Sequence, residues 1–166
     1  MSSPVLDAIL SRRVTRNMTA EPVAPEQLEQ VLRAARHAPS AGNRRLQPVV
    51  PVLDPALLRM LRMVSPGMHP RPQAAVVICI DVDRAVAFGF RPDTPGLFVD
   101  VGTMAATILL AAHAIGLGAC PISSFSRVAV DRLLALPPGR RSQMIVCLGH
   151  PAAEQPAAMG ARLRRG

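Results

Sequence analysis

The stretch DVGTMAATILLAAHAIGLGACPISSF, residues 100–125, decides how this chain is read. From residue 101 to residue 126 no side chain is charged. A run of that length raises the question of a membrane span. It is interrupted by His113, Gly116, Gly118, Pro121 and several Ser and Thr, and its second half has turn composition. The pattern predicts a long helix over 98–115, apolar on nearly every side and stopped by Gly116, running through the middle of a core. A glycine-punctuated loop is expected over 118–125, and no membrane span.

Reading toward the N-terminus, 74–80 (AAVVICI) is a continuous apolar run of strand length, the signature of a strand buried on both faces. Between it and the long helix, 83–96 reads as a short connection. Asp54 and Pro55 supply a cap and first turn for a helix to about residue 63. Residues 49–53 form a strand that Pro51 assigns to an edge or bulge. Before the turn-rich 39–47, Leu28, Val31, Leu32 and Ala35 recur at helical spacing behind Pro25, and the helix ends before Pro39. Ser3 and Pro4 start a short helix with an apolar stripe of Val5, Leu6, Ile9 and Leu10. Toward the C-terminus come a helix over 126–135, a stop at Pro137 and Pro138, and a strand over 144–148. The result is a mixed α/β arrangement with helices on both sides of a small sheet. One domain is expected over 1–150, with an extended tail over 151–166 that wraps a neighbour.

Composition narrows the function. The chain has 166 residues, 49% of them hydrophobic and 18% charged, which suits a single packed core and excludes a disordered or coiled-coil chain. All 19 basic residues are arginine and the net charge is +8. The arginines are spread from Arg12 to Arg165, Tyr and Trp are absent and Phe occurs four times, so a nucleic-acid surface with stacking platforms is not expected. Three cysteines form no disulfide framework and no zinc spacing, which fits a reducing cytoplasm, and the N-terminus lacks the regions of a secretory signal. His37, His69, His113 and His150 have no metal spacing. No GxGxxG, P-loop or GxSxG motif occurs.

Three segments could carry chemistry. Arg12, Arg13 and Arg16 form either a solvated basic helix end or a clamp for a phosphate. Ser40, Ala41, Gly42 and Asn43 form either an ordinary helix-ending turn or a place where a planar ligand meets the backbone. The segment 116–125 offers backbone N–H groups to a ligand edge. Cys120 reads as a packing residue rather than a nucleophile.

Together SRRVTR (11–16), APSAGN (38–43), the stretch 100–125 and VCLGHP (146–151) resemble the FMN-dependent nitroreductase-like flavoenzymes, in the right order over most of the chain. The resemblance implies an α+β fold, with a small central mixed sheet flanked by helices and an extended C-terminal tail embracing a partner subunit. It also implies a cytoplasmic homodimer with FMN at the interface, NADH or NADPH as electron donor and a small organic substrate. By resemblance, Arg12, Arg13 and Arg16, helped by Arg162 or Arg164, hold the FMN phosphate and ribityl chain. Ser40 and Asn43 contact the ribityl chain or ring. Pro121, Ile122, Ser123 and Ser124 line the flavin face, with a backbone N–H near Ser124 directed at N5. The flavin carries the redox chemistry and no side chain is catalytic. Where the family has a serine in the opening motif this chain has Val14, and where some members have an acid in the flavin loop it has Ser123. The aromatic residue after SAGN is missing and the segment before the long helix is short. The loop CPISSF and the segment SPGMHPRP (65–72) also resemble the catalytic subunits of cyclodipeptide oxidases, which implies a small second subunit and oxygen as acceptor. A flavin-binding protein without turnover is a further alternative.

Overall fold

In the computed structural model, which describes residues 3–155, six helices surround a four-stranded sheet of order β1-β2-β4-β3. The chain runs α1 (Pro4–Ser11), α2 (Pro25–Ala35), β1 (Val49–Val52), α3 (Pro55–Met63), β2 (Ala74–Asp81), α4 (Val82–Ala87), α5 (Pro95–Ala114), β3 (Gly118–Ile122), α6 (Arg127–Leu133) and β4 (Arg140–Gly149). Every described ladder is antiparallel, where a mixed sheet was expected. The reason is in the connections. After α3 the segment 64–73 carries the chain back to the end of the sheet it left, so β2 runs against β1 instead of alongside it.

The two central strands carry the core. In β2, Ala74, Val76, Ile78 and Ile80 face one helical layer, while Ala75, Val77 and Cys79 face the other. In β4, Val146 and Leu148 join the first layer, and Ile145 and Cys147 the second. The first layer is closed by α2, α4 and α5 and the second by α3 and α6. Each edge strand contains a proline, Pro51 in β1 and Pro121 in β3, where a missing N–H costs no ladder bond.

Local signals explain the ends. Asp54 Oδ1 accepts the Ala56 N–H at 2.7 Å to open α3, and Gln27 Oε1 accepts the Ala24 N–H at 3.0 Å at the start of α2. Two expectations change. The segment 118–125 is not wholly a loop: 118–122 is β3, assembled by pairing with β4, although Gly, Cys and Pro show no strand period. Within 83–96, α4 forms because Asp81 accepts the Arg84 N–H at 3.1 Å and Ala85 is buried; six residues are too few to show periodicity.

The apolar stripe of α1 is also not core. Leu10 is 72% exposed and α1 has no buried residue. Nor does α5 run through the middle. It lies on one face of the sheet: Leu97, Val101, Met104, Ala105, Ile108 and Ala112, at helical spacing, are buried against the first layer, while Val99 on another face is 62% exposed. By length and hydropathy α5 would also pass for a membrane span.

Residues 15–19 cross the end of the sheet. Thr15 N–H donates to Ala119 O at 3.0 Å, Thr19 N–H to His150 O at 2.9 Å, and Met18 bridges to Pro151. This crossing requires the paired glycines Gly118 and Gly149: a Cβ on Gly118 would stand 2.5 Å from Thr15 Cγ2, and one on Gly149 3.0 Å from Met18 Sδ. Gly118→Ala is therefore expected to cost about 1–3 kcal/mol of stability by overpacking, read as a lower urea midpoint; an unchanged midpoint would contradict the crossing.

Candidate functional site

The crossing sets the basic cluster against β3. Arg12 closes α1, with its N–H donating to Ala8 O at 3.0 Å, and one of its guanidinium nitrogens, Nη1, is buried without a hydrogen-bond partner among the described residues. Arg13 turns back, donating from Nη1 to Leu10 O at 2.7 Å and Arg12 O at 2.9 Å, as a basic side chain at a helix C-terminus does. Arg16 lies in a shallow groove with Asn17, Glu154 and Gln155, where Gln155 Oε1 accepts the Arg16 and Asn17 N–H groups. The arginines thus divide, with Arg13 and Arg16 opening into different grooves.

Downstream in β3, Pro121 is half-buried, Ile122 is buried, and Ser123 and Ser124 are exposed. The loop that follows is braced by 64–67: Gly67 N–H donates to Ser124 O at 3.1 Å and Ser126 N–H to Val64 O at 2.9 Å. Burial raises the Cys120 thiol above its ordinary range, with the nearby Arg16 charge opposing. Cys147, its cross-strand partner, is raised further by burial, and Cys79 is pushed up to about 12. A buried, protonated thiol is a poor nucleophile, in line with the packing role read for Cys120.

The SAGN loop is built differently. Ala41–Asn43 is a single 3-10 turn, and Gly42, Asn43 and Arg45 have φ of 56°, 52° and 51°. Asn accepts this left-handed region readily, whereas Arg45 is strained there. The strain is held by Ser40 Oγ, which accepts the Arg45 N–H at 3.1 Å, and by Asp100. Asp100 is buried in α5 and both its carboxylate oxygens accept the Ala41 N–H, at 3.0 and 3.2 Å, while Gln47 Nε2 donates to it at 3.4 Å. Thr103 Oγ1 adds a bond to Pro39 O at 3.1 Å. Gln47 Oε1 is buried and has no hydrogen-bond partner among the described residues, and Gln47 lines a cavity of about 280 Å³ together with Ser40, Asp100 and Met104. Asp100, Thr103 and Gln47 are the positioning residues that sequence reasoning missed. The signal was the lone carboxylate opening an uncharged run, since an acid is rarely buried without donors.

These two halves do not meet within one chain. Asp100 holds the SAGN loop near one end of α5, and His113 near the other end lies 2.8 Å from Ser11 Oγ of α1. At about 1.5 Å per residue that stretch of helix is roughly 20 Å long. Ser40 and Asn43 therefore sit far from Arg12 and Arg16. Arg162 and Arg164 lie outside the described residues. Among the described residues no cluster of His, Cys, Asp and Glu could hold a metal ion.

Comparison with known proteins places the chain in a family. The nitroreductase family model matches residues 9–66 and 71–150. The NADPH-flavin oxidoreductase of Vibrio harveyi is 32% identical over 88% of this chain, and the chain spans 65% of that relative's length. The NADH dehydrogenase of Thermus thermophilus is also 32% identical, over 91% of this chain and 90% of its own. Among solved structures, nitroreductase A from Vibrio parahaemolyticus superposes with a TM-score of 0.80 at 30% identity, covering 92% of this chain and 70% of that one. A family match that runs through the basic cluster, the SAGN loop and β3 in order means that this chain belongs to the nitroreductase family.

Proposed function

We propose that this protein is an FMN-dependent oxidoreductase that draws electrons from NADH or NADPH and reduces a small organic acceptor. The observation that carries the reading is Arg12 Nη1, a buried cationic nitrogen without an acceptor among the described residues, on the segment that Thr15 ties to Ala119 of β3; the exposed Ser123 and Ser124 follow that strand. A guanidinium in that state fits a phosphate oxygen. The relatives' names, NADPH-flavin oxidoreductase in Vibrio harveyi and FMN reductase in Bacillus subtilis, supply the cofactor and donor. When bound, FMN supplies hydride acceptance and donation at N5.

The chain's own residues then bind and orient. Arg12 and Arg16 hold the phosphate and Arg13 adds positive charge. Pro121 and Ile122 form an apolar wall against the ring, and Ser123 and Ser124 offer hydrogen bonds at its polar edge. Ser40 and Asn43 serve the site of a second subunit, which their distance from Arg12 along α5 requires. A homodimer also covers the apolar face on which Val5, Ile9, Leu110 and Ala114 line a groove of about 440 Å³. Three free, buried thiols suit a reducing cytoplasm. No side chain is assigned as nucleophile or proton donor.

The purified protein is expected to show flavin bands that bleach anaerobically with NADH or NADPH; a colourless protein that takes up no FMN would sink the proposal. Arg12→Gln should weaken FMN binding at least about tenfold, about 1.4 kcal/mol, with the circular dichroism unchanged, and equal affinity would remove the phosphate role. Asp100→Leu removes both acceptors of the Ala41 N–H at similar side-chain volume. It should lower flavin affinity as well as the thermal midpoint, whereas a fall in the midpoint alone would make Asp100 purely structural. Because burial raises all three thiols, a thiol reagent at pH 8 should label no cysteine in the native protein and three after unfolding; fast native labelling of Cys120 would reopen it as a reactive group.

A further inference from the structure

We propose that the groove between α3 and the segment entering β2 is a second anion site, built by Arg59, Arg62 and Arg71, and that it takes a phosphate-bearing small molecule. Arg59 and Arg62 stand three residues apart on α3 and so share a face. Arg71 faces them from the 64–73 return, and Gln73 lines the same space, whose volume is about 310 Å³. Pro55, Leu58 and Pro72 make its apolar wall, and no carboxylate lines it.

The charges there are uncompensated. Elsewhere Arg36 pairs with Glu29, Arg91 with Asp93 and Arg140 with Asp81. Among the described residues, no side chain of Arg59, Arg62 or Arg71 has an ion pair or a hydrogen bond. Three exposed arginines lining one groove concentrate positive charge there, and a guanidinium is the group that meets a phosphate bidentately. The apolar wall gives room for the body that carries the phosphate.

The groove is independent of the flavin reading. It shares no lining residue with the grooves that hold Arg13 and Arg16. Leu58 belongs to the core layer on the opposite side of the sheet from α5, so pairing through α1 and α5 leaves the groove open.

Titration calorimetry of the full chain at low ionic strength, with inorganic pyrophosphate and then phosphate as probes, tests this. Saturable binding is expected, weakened at least about tenfold in Arg59→Gln/Arg71→Gln. It should be kept in Arg12→Gln and in Arg33→Gln/Arg132→Gln, which removes the same charge elsewhere. Ribose 5-phosphate binding tighter than inorganic phosphate would identify a phosphate carried on a larger molecule, and equal affinity would identify free phosphate. Loss in Arg12→Gln alone, equal loss in the control pair, no saturable binding at millimolar pyrophosphate, or preference for polyglutamate over pyrophosphate would each overturn the proposal. The last would point to an acidic protein partner.

Discussion

The passage of Thr15 and Met18 over the paired glycines Gly118 and Gly149 is the constraint on which the rest of the molecule depends. Backbone can cross a sheet end at hydrogen-bonding distance only where no Cβ stands in the way. Two glycines face each other across β3 and β4, so the N-terminal segment is tied to Ala119 and His150, and the tail begins from the same place through Pro151 and Ala152. The segment after α1, residues 150–152 and the first residues of β3 are thereby gathered at one corner. The basic residues after α1 owe their position to that corner, since α1 has no buried side chain to anchor it.

The second constraint is the one-sided burial of α5. Its inner face closes the first core layer through Leu97, Val101, Ala105, Ile108 and Ala112, while its outer face stays apolar and uncovered. Apolar area left in water is a cost that association removes. The same helix separates the SAGN loop from the arginine corner by most of its length. One element thus carries both the uncovered apolar surface and the separation between the SAGN loop and the arginine corner.

Two of the three non-glycine residues with positive φ among the described residues, Asn43 and Arg45, lie at the SAGN turn. Arg45 in the left-handed region would relax if free, yet Ser40, Asp100 and Thr103 hold the turn from three sides. A buried carboxylate accepting one backbone N–H with both oxygens, and the Gln47 side-chain amide besides, is a stiff support, because releasing it would leave charge in an apolar layer. The turn is thus presented ready-formed, which lowers the ordering cost of any ligand it meets.

Much of this was legible in the residues. The unbroken apolar run of β2, the spacing in α2, Pro51 at an edge and the glycine stop after α5 each express a local rule, periodicity or backbone sterics, that acts within a few residues. So do the candidate segments 11–16, 38–43 and 118–125, whose residue types are unusual for plain turns. What stayed hidden depends on partners distant in sequence. β3 has no strand period and exists because β4 pairs with it. Asp100 matters because a loop sixty residues earlier needs an acceptor, and Arg13 leaves its neighbours because helix carbonyls lie nearer than any anion. The sequence by itself determined most of the elements, β3 and α4 excepted, and the residue types of the candidate segments. Only the tertiary structure decided which of those residues meet, because that is settled by the direction of chain return and by the space glycine leaves at the sheet end, and neither has a local signature.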